Sequence, residues 1–529
     1  MAPLTSRMRW TSALLATACL LSLSTLPALA APGDVPQALP RELGKPEDDM
    51  TLDIRAFQVD GLPAATAEAM AAVTAPYTGK GKNYEDLMNA AAAVTRYMQR
   101  ELGYYVGFAY VPEQHPTDGV VHLQALEGRL DRIDIFAPEG AQGDAQRDLI
   151  TRQLAALQPG EVLFTQDVER AVLLINDLQG LNVRVEIEEG RTPGTAALRV
   201  SSSSDRRVSW RLDADNLGNR HTGEGRGTVE MAAAGLLRTG DSIKVEALSS
   251  HTGGLKQATV GYVTPVGAQG LRLGGVVSRV EYAVDKDAFP ADYHGSVGVA
   301  GAYALYPLTR SRNLNLFGLL SYEHKRFDDK QEWQDYTKSS DDWVLGLIGD
   351  SRDTWLGGGI NTFELQSLWG RMKFGPGADS YYGLHTSFEK FTVGAARLQS
   401  VVPGRLQFYA RYKGQVSNTS LDFSERYAAG GPTGVRAFEA GTVAGDKAHV
   451  INAELRWLPS EAQFGKIARE LMFSVFYDWG RVTFFHDRDL QTWGLTNTTI
   501  ISGYGAGVTW ERTGDISVRA EVAWKGRDP

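Results

Sequence analysis

Nucleophilic, metal-assisted and phosphate chemistry each need particular residues at particular spacings, and this sequence lacks all three arrangements. There is no G-x-S-x-G elbow to expose a catalytic serine. The nine histidines are scattered, with no pair three or four positions apart to hold zinc from a helix. Thr78-Gly79-Lys80-Gly81-Lys82 joins glycine to lysine without the Walker spacing, and no strand leads into a phosphate-binding turn there. Catalysis, a metal and a cofactor are therefore not expected. The residue pattern that does recur is charge alternating with apolar bulk. Arg211 and Asp213 alternate with Trp210 and Leu212, and Arg519 and Glu521 alternate with Val518, Ala520 and Val522. Such a strand keeps one face wet and the other in oil, so its chemistry is hydration of a passage.

The elements that present this pattern follow from the ends inward. Residues 1–30 carry Arg7 and Arg9, an apolar run from Ala13 and the small-residue site Ala28-Leu29-Ala30, which reads as a secretory signal peptide cleaved before Ala31. Cys19, the only cysteine, falls inside it, so the mature chain is expected to carry neither disulfides nor thiolate metal sites. Residues 31–50 are rich in proline and charge and form an extended lead-in. Residues 51–128 and 129–202 then repeat a β-α-α-β-β pattern. In the first copy a strand from Leu52 to Val59 precedes helices near Ala64–Val73 and Tyr84–Leu102, and strands Tyr104–Val111 and Val120–Leu126 follow. Leu87, Ala91, Val94 and Met98 share a face of the longer helix, which Asn83 caps and Gly103 ends.

From 206 to 529 the period is two throughout. A net charge of −9 argues against nucleic acid as a partner. No segment beyond the signal peptide has about 18 consecutive apolar residues, which excludes helical membrane spans. A secreted chain with sustained alternation is expected to cross the outer membrane as an antiparallel β-barrel. Eleven strands are legible up to Gly414 and four after a long insert, 415–448. At roughly 20 residues per strand, ~320 residues would make about 16 strands. The short turn before Ile516 sends the fifteenth strand outward, so a closing strand is expected beyond Pro529 in a longer protein; the alternative is a further strand among residues 283–400, with Ile516–Lys525 closing the barrel.

Several motifs carry a resemblance. Val111-Pro112-Glu113-Gln114, Gly119-Val120-Val121 and Leu126-Glu127-Gly128 form a P-x-Q, G-x-V, E-G series, and Asn176-Asp177-Leu178-Gln179-Gly180 is similar to an N-D-L-P-G turn. Asp215-Asn216-Leu217-Gly218 with Thr222-Gly223 resembles D-N-x-G-x-x-x-T-G. In the insert, Gly430-Gly431 precedes Val435-Arg436-Ala437-Phe438, which resembles a V-R-G-F/Y loop tip with Ala in place of Gly. Phe476-Tyr477-Asp478-Trp479-Gly480 matches an F-x-D-x-G wall motif. Together these resemble the TpsB transporters of two-partner secretion, the haemolysin secretion/activation family of ShlB/FhaC/HecB type, in the superfamily that includes BamA.

The resemblance implies two POTRA modules in the periplasm, then a barrel of sixteen-strand type in the outer membrane. It implies that the insert is loop six, and that Arg436 meets Asp478 inside the lumen with Val435, Phe438, Phe476 and Gly480 packed around the pair. Strand parity agrees, since Ser474, Phe476, Asp478 and Gly480 share one face of their strand. Pro112, Gln114, Gly119, Glu127 and Gly128 are the expected POTRA signature, on strands that shape the first module's sheet edge. The implied partners are a secreted TpsA-type exoprotein of β-helical adhesin or haemolysin type, outer-membrane lipid, and the barrel assembly machinery for insertion. A BamA-like assembly factor is the alternative reading; two modules, rather than more or none, favour the transporter over an insertase or a porin.

Overall fold

The computed structural model describes residues 41–45, 51–116, 118–204, 208–285, 292–332, 334–375, 386–487, 496–512 and 516–529. The signal peptide and most of the lead-in lie outside the described residues. The chain divides into two compact units, one holding the two modules and one holding the long sheet.

The first module runs β1 (Leu52–Ile54), β2 (Ala56–Asp60), α1 (Ala67–Thr74), β3 (Gly79–Lys82), α2 (Tyr84–Arg100), β4 (Phe108–Tyr110) and β5 (Val120–Leu126). Its main sheet has the order β2-β5-β4, with β2 parallel and β4 antiparallel to β5. The helix α2 starts in a capping box, where the Asn83 side chain accepts from the Asp86 N–H and the Asp86 carboxylate accepts from the Asn83 N–H. Its face of Leu87, Ala90, Ala91, Val94 and Met98 is buried against Ile54, Val121 and Leu123.

Two expectations change here. The strand expected from Leu52 to Val59 breaks at Arg55, because its halves pair with different partners: β1 with β3, and β2 with β5. The glycine–lysine segment that was read as leading nowhere is therefore itself a strand. Second, the strand expected from Tyr104 shortens to Phe108–Tyr110, because residues 103–105 pair with the second module instead.

The second module repeats the plan as β6 (Arg129–Phe136), α3 (Ala141–Gln153), α4 (Thr165–Asn176), β7 (Leu181–Glu189) and β8 (Thr195–Ser204), in sheet order β6-β8-β7. Leu149, Ile150, Val168 and Ile175 of its helices close over Leu130, Val183 and Leu198 of its strands.

Among the described residues the large sheet contains fifteen antiparallel strands in chain order. They are β9 (Val208–Asp215), β10 (Arg226–Ala234), β11 (Ser242–Ser250), β12 (Leu255–Val266), β13 (Leu271–Ala283), β14 (His294–Arg310), β15 (Leu314–Gln331) and β16 (Gln334–Asp353), then β17 (Gly359–Phe374), β18 (Ser387–Val402) and β19 (Leu406–Ser417). After the insert, which contains the two-residue strands β20 (Tyr427–Ala428) and β21 (Ala444–Gly445), come β22 (Lys447–Trp457), β23 (Leu471–Thr483), β24 (Thr498–Arg512) and β25 (Ile516–Arg527). The turn between β22 and β23 holds a short helix, α5 (Glu461–Phe464).

Burial on these strands is the inverse of a water-soluble sheet. Trp210, Leu212, Val277, Val475, Tyr477 and Trp524 are exposed, whereas Glu323, Asp342, Gln366, Asn452, Glu454 and Asp478 are buried. An apolar exterior around a polar interior is the pattern of a transmembrane barrel. The sheet's edge strands are β9 and β25. The insert reaches both ends of the sheet: Asn219, just after β9, donates to the Ala440 carbonyl at 3.2 Å, and Glu521 on β25 accepts from Arg436 at 3.0 Å. The sheet therefore curls round the insert.

Candidate functional site

The insert leaves the end of β19, folds back between Gly430 and Val435 in a bridge, and presents Arg436 to the inner wall. Its guanidinium grips Asp478 on β23 with two bonds, Nε to Oδ2 at 2.9 Å and Nη2 to Oδ1 at 3.0 Å. The Arg436 backbone N–H adds a third bond to Oδ2 at 3.0 Å. Nη1 also donates to Glu454 on β22 and Glu521 on β25, both at 3.0 Å. The guanidinium carbon lies 3.4 Å from the ring centroid of Phe476, a stacked cation–π contact. Asp478 is fully buried. Paired oxygens facing a planar fork suit arginine and not lysine.

The neighbours make room for this tip. Val435 and Phe438 are buried with Ala429, Val443, Val450, Val482 and Ile501. A Cβ on Gly480 would sit 3.1 Å from Val435, and one on Gly503 only 2.5 Å from the Ala437 methyl. Facing Asp478 across the β23–β24 register, Gly503 thus leaves the space that Ala437 fills. Alanine is accommodated at 437 because its φ is negative; among the described residues other than glycine, only Asp118 and Leu356 have positive φ.

All six residues expected at this lock, Val435, Arg436, Phe438, Phe476, Asp478 and Gly480, are thus brought together. Sequence reasoning missed Asn452, Glu454, Glu521 and Gly503. Asn452 donates to both Asp478 Oδ1 at 2.7 Å and the Gly434 carbonyl at 2.8 Å, tying wall to tip. Alternation with Ile451, Ala453 and Leu455 puts Asn452 and Glu454 on the polar face, but only the strand register sets Asn452 opposite Asp478.

In the modules the signature residues serve two places. Pro112 lies two residues past the end of β4, bridges Glu42 of the lead-in, and has no N–H to donate. The Gln114 carboxamide takes over, accepting from the His122 N–H at 2.8 Å and donating to the His122 carbonyl at 2.7 Å. On the other side of this segment, Leu43 N–H donates to the Val111 carbonyl and Glu113 N–H to the Arg41 carbonyl, so the lead-in covers that edge. Gly119, at φ 72°, accepts from Arg55 and Ala56 where β1 gives way to β2.

Glu127 and Gly128 lie elsewhere than expected. They form the joint between modules rather than the sheet edge. Tyr104 donates to Glu127 at 3.1 Å, Arg129 donates to it at 2.8 Å, and Leu163 N–H donates to the Gly128 carbonyl. Burial and the adjacent Glu127 carboxylate push the Tyr104 hydroxyl up to about 12. Gly128 has φ 73°, and a Cβ there would meet Val106 at 2.6 Å. In the second module, Asn176 of the N-D-L turn accepts from the Val183 N–H at 2.6 Å and donates to its carbonyl at 3.0 Å. It thereby caps the outer edge of β7.

The chain is similar to known proteins. A family model described as haemolysin secretion/activation protein ShlB/FhaC/HecB matches residues 194–510, and one for the ShlB-type POTRA domain matches residues 52–128. The chain is 25% identical over 465 residues to the heme/hemopexin transporter protein HuxB of Haemophilus influenzae, covering 86% of this chain and 80% of the relative. It is likewise 25% identical over 402 residues to the outer membrane transporter CdiB of Dickeya dadantii, covering 73% and 69%. Among solved structures, CdiB from Escherichia coli is similar with a TM-score of 0.69 at 20% identity, over 92% of this chain and 89% of that one. BamA from Haemophilus ducreyi lacking POTRA domains 1–3 follows at 0.55 and 13% identity, over 91% and 97%. At those identities the structures establish the fold alone.

Proposed function

This chain belongs to the haemolysin secretion/activation family of ShlB/FhaC/HecB type, and from that premise we propose that it exports one large β-helical exoprotein, an adhesin or haemolysin. It is an outer-membrane transporter of two-partner secretion with its POTRA arm in the periplasm. The observation that carries the reading is the loop tip pinned by Arg436 to Asp478 inside a polar-lined barrel that follows two such modules.

Recognition is by strand addition. An extended stretch of exoprotein pairs with an open sheet edge, so main-chain hydrogen bonds give affinity without a strict sequence requirement. The nine-residue β7 pairs only with β8 among the described residues, and beyond the Asn176 cap its outer edge runs from Val185 to Glu189. The first module's edge is shorter and meets the lead-in at residues 41–43. The buried polar lumen keeps the passing backbone hydrated, and folding of the exoprotein outside supplies the drive in a compartment without ATP. No step requires catalysis by this chain. Outer-membrane lipid surrounds the apolar face, and the barrel assembly machinery inserts the chain.

The test is co-expression with a large secreted protein of β-helical type, sought first among the neighbouring genes. The exoprotein should reach the medium only when this chain is present. Retention in the periplasm while other outer-membrane proteins assemble normally supports export. Normal export without this chain, with general loss of barrel proteins, would favour the assembly-factor alternative.

A further inference from the structure

The Arg436 lock fixes only one side of the insert. On the other side of the lumen a second set of buried charges holds its first limb, and neither the alternation nor any motif singles it out. Glu425 is buried, and its two carboxylate oxygens receive Lys325 of β15 at 2.9 Å and Lys390 of β18 at 2.7 Å. Lys325 is also paired with buried Asp342 of β16 at 2.8 Å. Asp422, one turn earlier, receives Lys338 of β16 at 2.7 Å. Between these charges Leu421 enters an apolar patch made by Val344, Leu368, Met372 and Phe388 on the wall.

We propose that Leu421, Asp422 and Glu425 form a second anchor of the insert, and that this anchor opens when the exoprotein passes while the Arg436 anchor stays made. The two attachments differ in what their rupture would leave behind. Freeing Arg436 leaves the fully buried Asp478 without a cation, held by the Asn452 amide, and exposes the tip's cluster of Ala429, Val435, Phe438 and Val443. An unpaired buried charge of that kind is strongly unfavourable.

Freeing this limb instead leaves Lys325 still paired with Asp342, while Lys390 and Lys338 lose their carboxylates but keep side-chain exposures of 12% and 15%, against none for Asp478. The lysine ammonium groups are compact and readily hydrated. Only one apolar side chain of the insert, Leu421, leaves the wall cluster. The first limb is thus the side that can swing away from β15–β18 and open a path along that wall. The lysines left on the wall would then line the passage as hydrated cations.

The argument rests on the export reading for its cargo but not for its mechanics, and the test separates them. Glu425→Gln keeps the size of the side chain while removing the charge that holds two lysines. In full-length protein in planar bilayers, this variant should show a severalfold higher mean conductance than the unaltered chain, with heat-modifiable migration confirming a folded barrel. Unchanged conductance overturns the anchor, and that measurement needs no exported protein. In cells, Leu421→Cys with Phe388→Cys, joined by a short bis-methanethiosulfonate reagent (each thiolate forms a disulfide and expels methanesulfinate), should stop export until the disulfides are reduced. Export that continues at the uncrosslinked rate through a fully crosslinked barrel overturns the release of this limb.

Discussion

At Asp478 a single carboxylate receives an arginine fork, the backbone N–H of the same arginine and the Asn452 amide. Arg436→Ala or Asp478→Ala removes one side of that set, a loss of about 1–3 kcal/mol at the tip. Either variant should still give a folded, heat-modifiable barrel in the outer membrane but strongly reduced export, and normal secretion by both would remove the lock from the mechanism. Arg436→Lys should recover export only in part, because a point charge cannot supply two parallel bonds and a stacked plane together. Gly503→Val tests the same contact from the wall. With its first carbon already 2.5 Å from the Ala437 methyl, the added side chain must push the tip away, and protease sensitivity of the insert should rise.

Among the elements, β5 depends on a side chain to complete its ladder. Gln114→Ala leaves both the N–H and the carbonyl of His122 without that partner, so amide exchange at His122 should quicken in the intact protein. Protection equal to the parent would mean that the carboxamide is dispensable there. The joint between modules is the other sensitive element. Gly128→Ala forces a side chain into the left-handed region against Val106, and should loosen the joint enough to appear as increased proteolysis between the modules. Deleting residues 51–128 removes the first module with its half of the joint. It should abolish exoprotein binding while the barrel still conducts ions, and a deletion strain that secretes normally would place recognition wholly on the second module.

For the molecule as a whole, the proposed export pairs an arm that captures an extended chain with a barrel whose polar interior the insert spans. The insert touches the β22–β25 wall through Arg436 and the β15–β18 wall through Glu425 and Leu421. Purified chain in lipid vesicles should therefore pass an unfolded exoprotein segment with no nucleotide present. An absolute requirement for ATP would contradict a process driven by folding on the far side.

The sequence by itself determined the features that repeat. The helical face of Leu87, Ala91, Val94 and Met98, the strands Val120–Leu126 and Ile516–Lys525, and the polar parity of Asp478 were legible because each is a local periodicity of burial. The fifteen strands of the sheet could be counted for the same reason. What only the tertiary structure decided involves partners far apart in the chain. A strand of Gly79–Lys82 carries no strand periodicity and exists because β1 needs a neighbour. Gly128 sits at a joint because Leu163 bonds its carbonyl there, and Glu127 because Tyr104 and Arg129 converge on its carboxylate. Asn452 faces Asp478, and Glu425 lies between two lysines from different strands, through register and loop path. Alternation says which face a residue takes, but long-range pairing sets which residue it meets across that face.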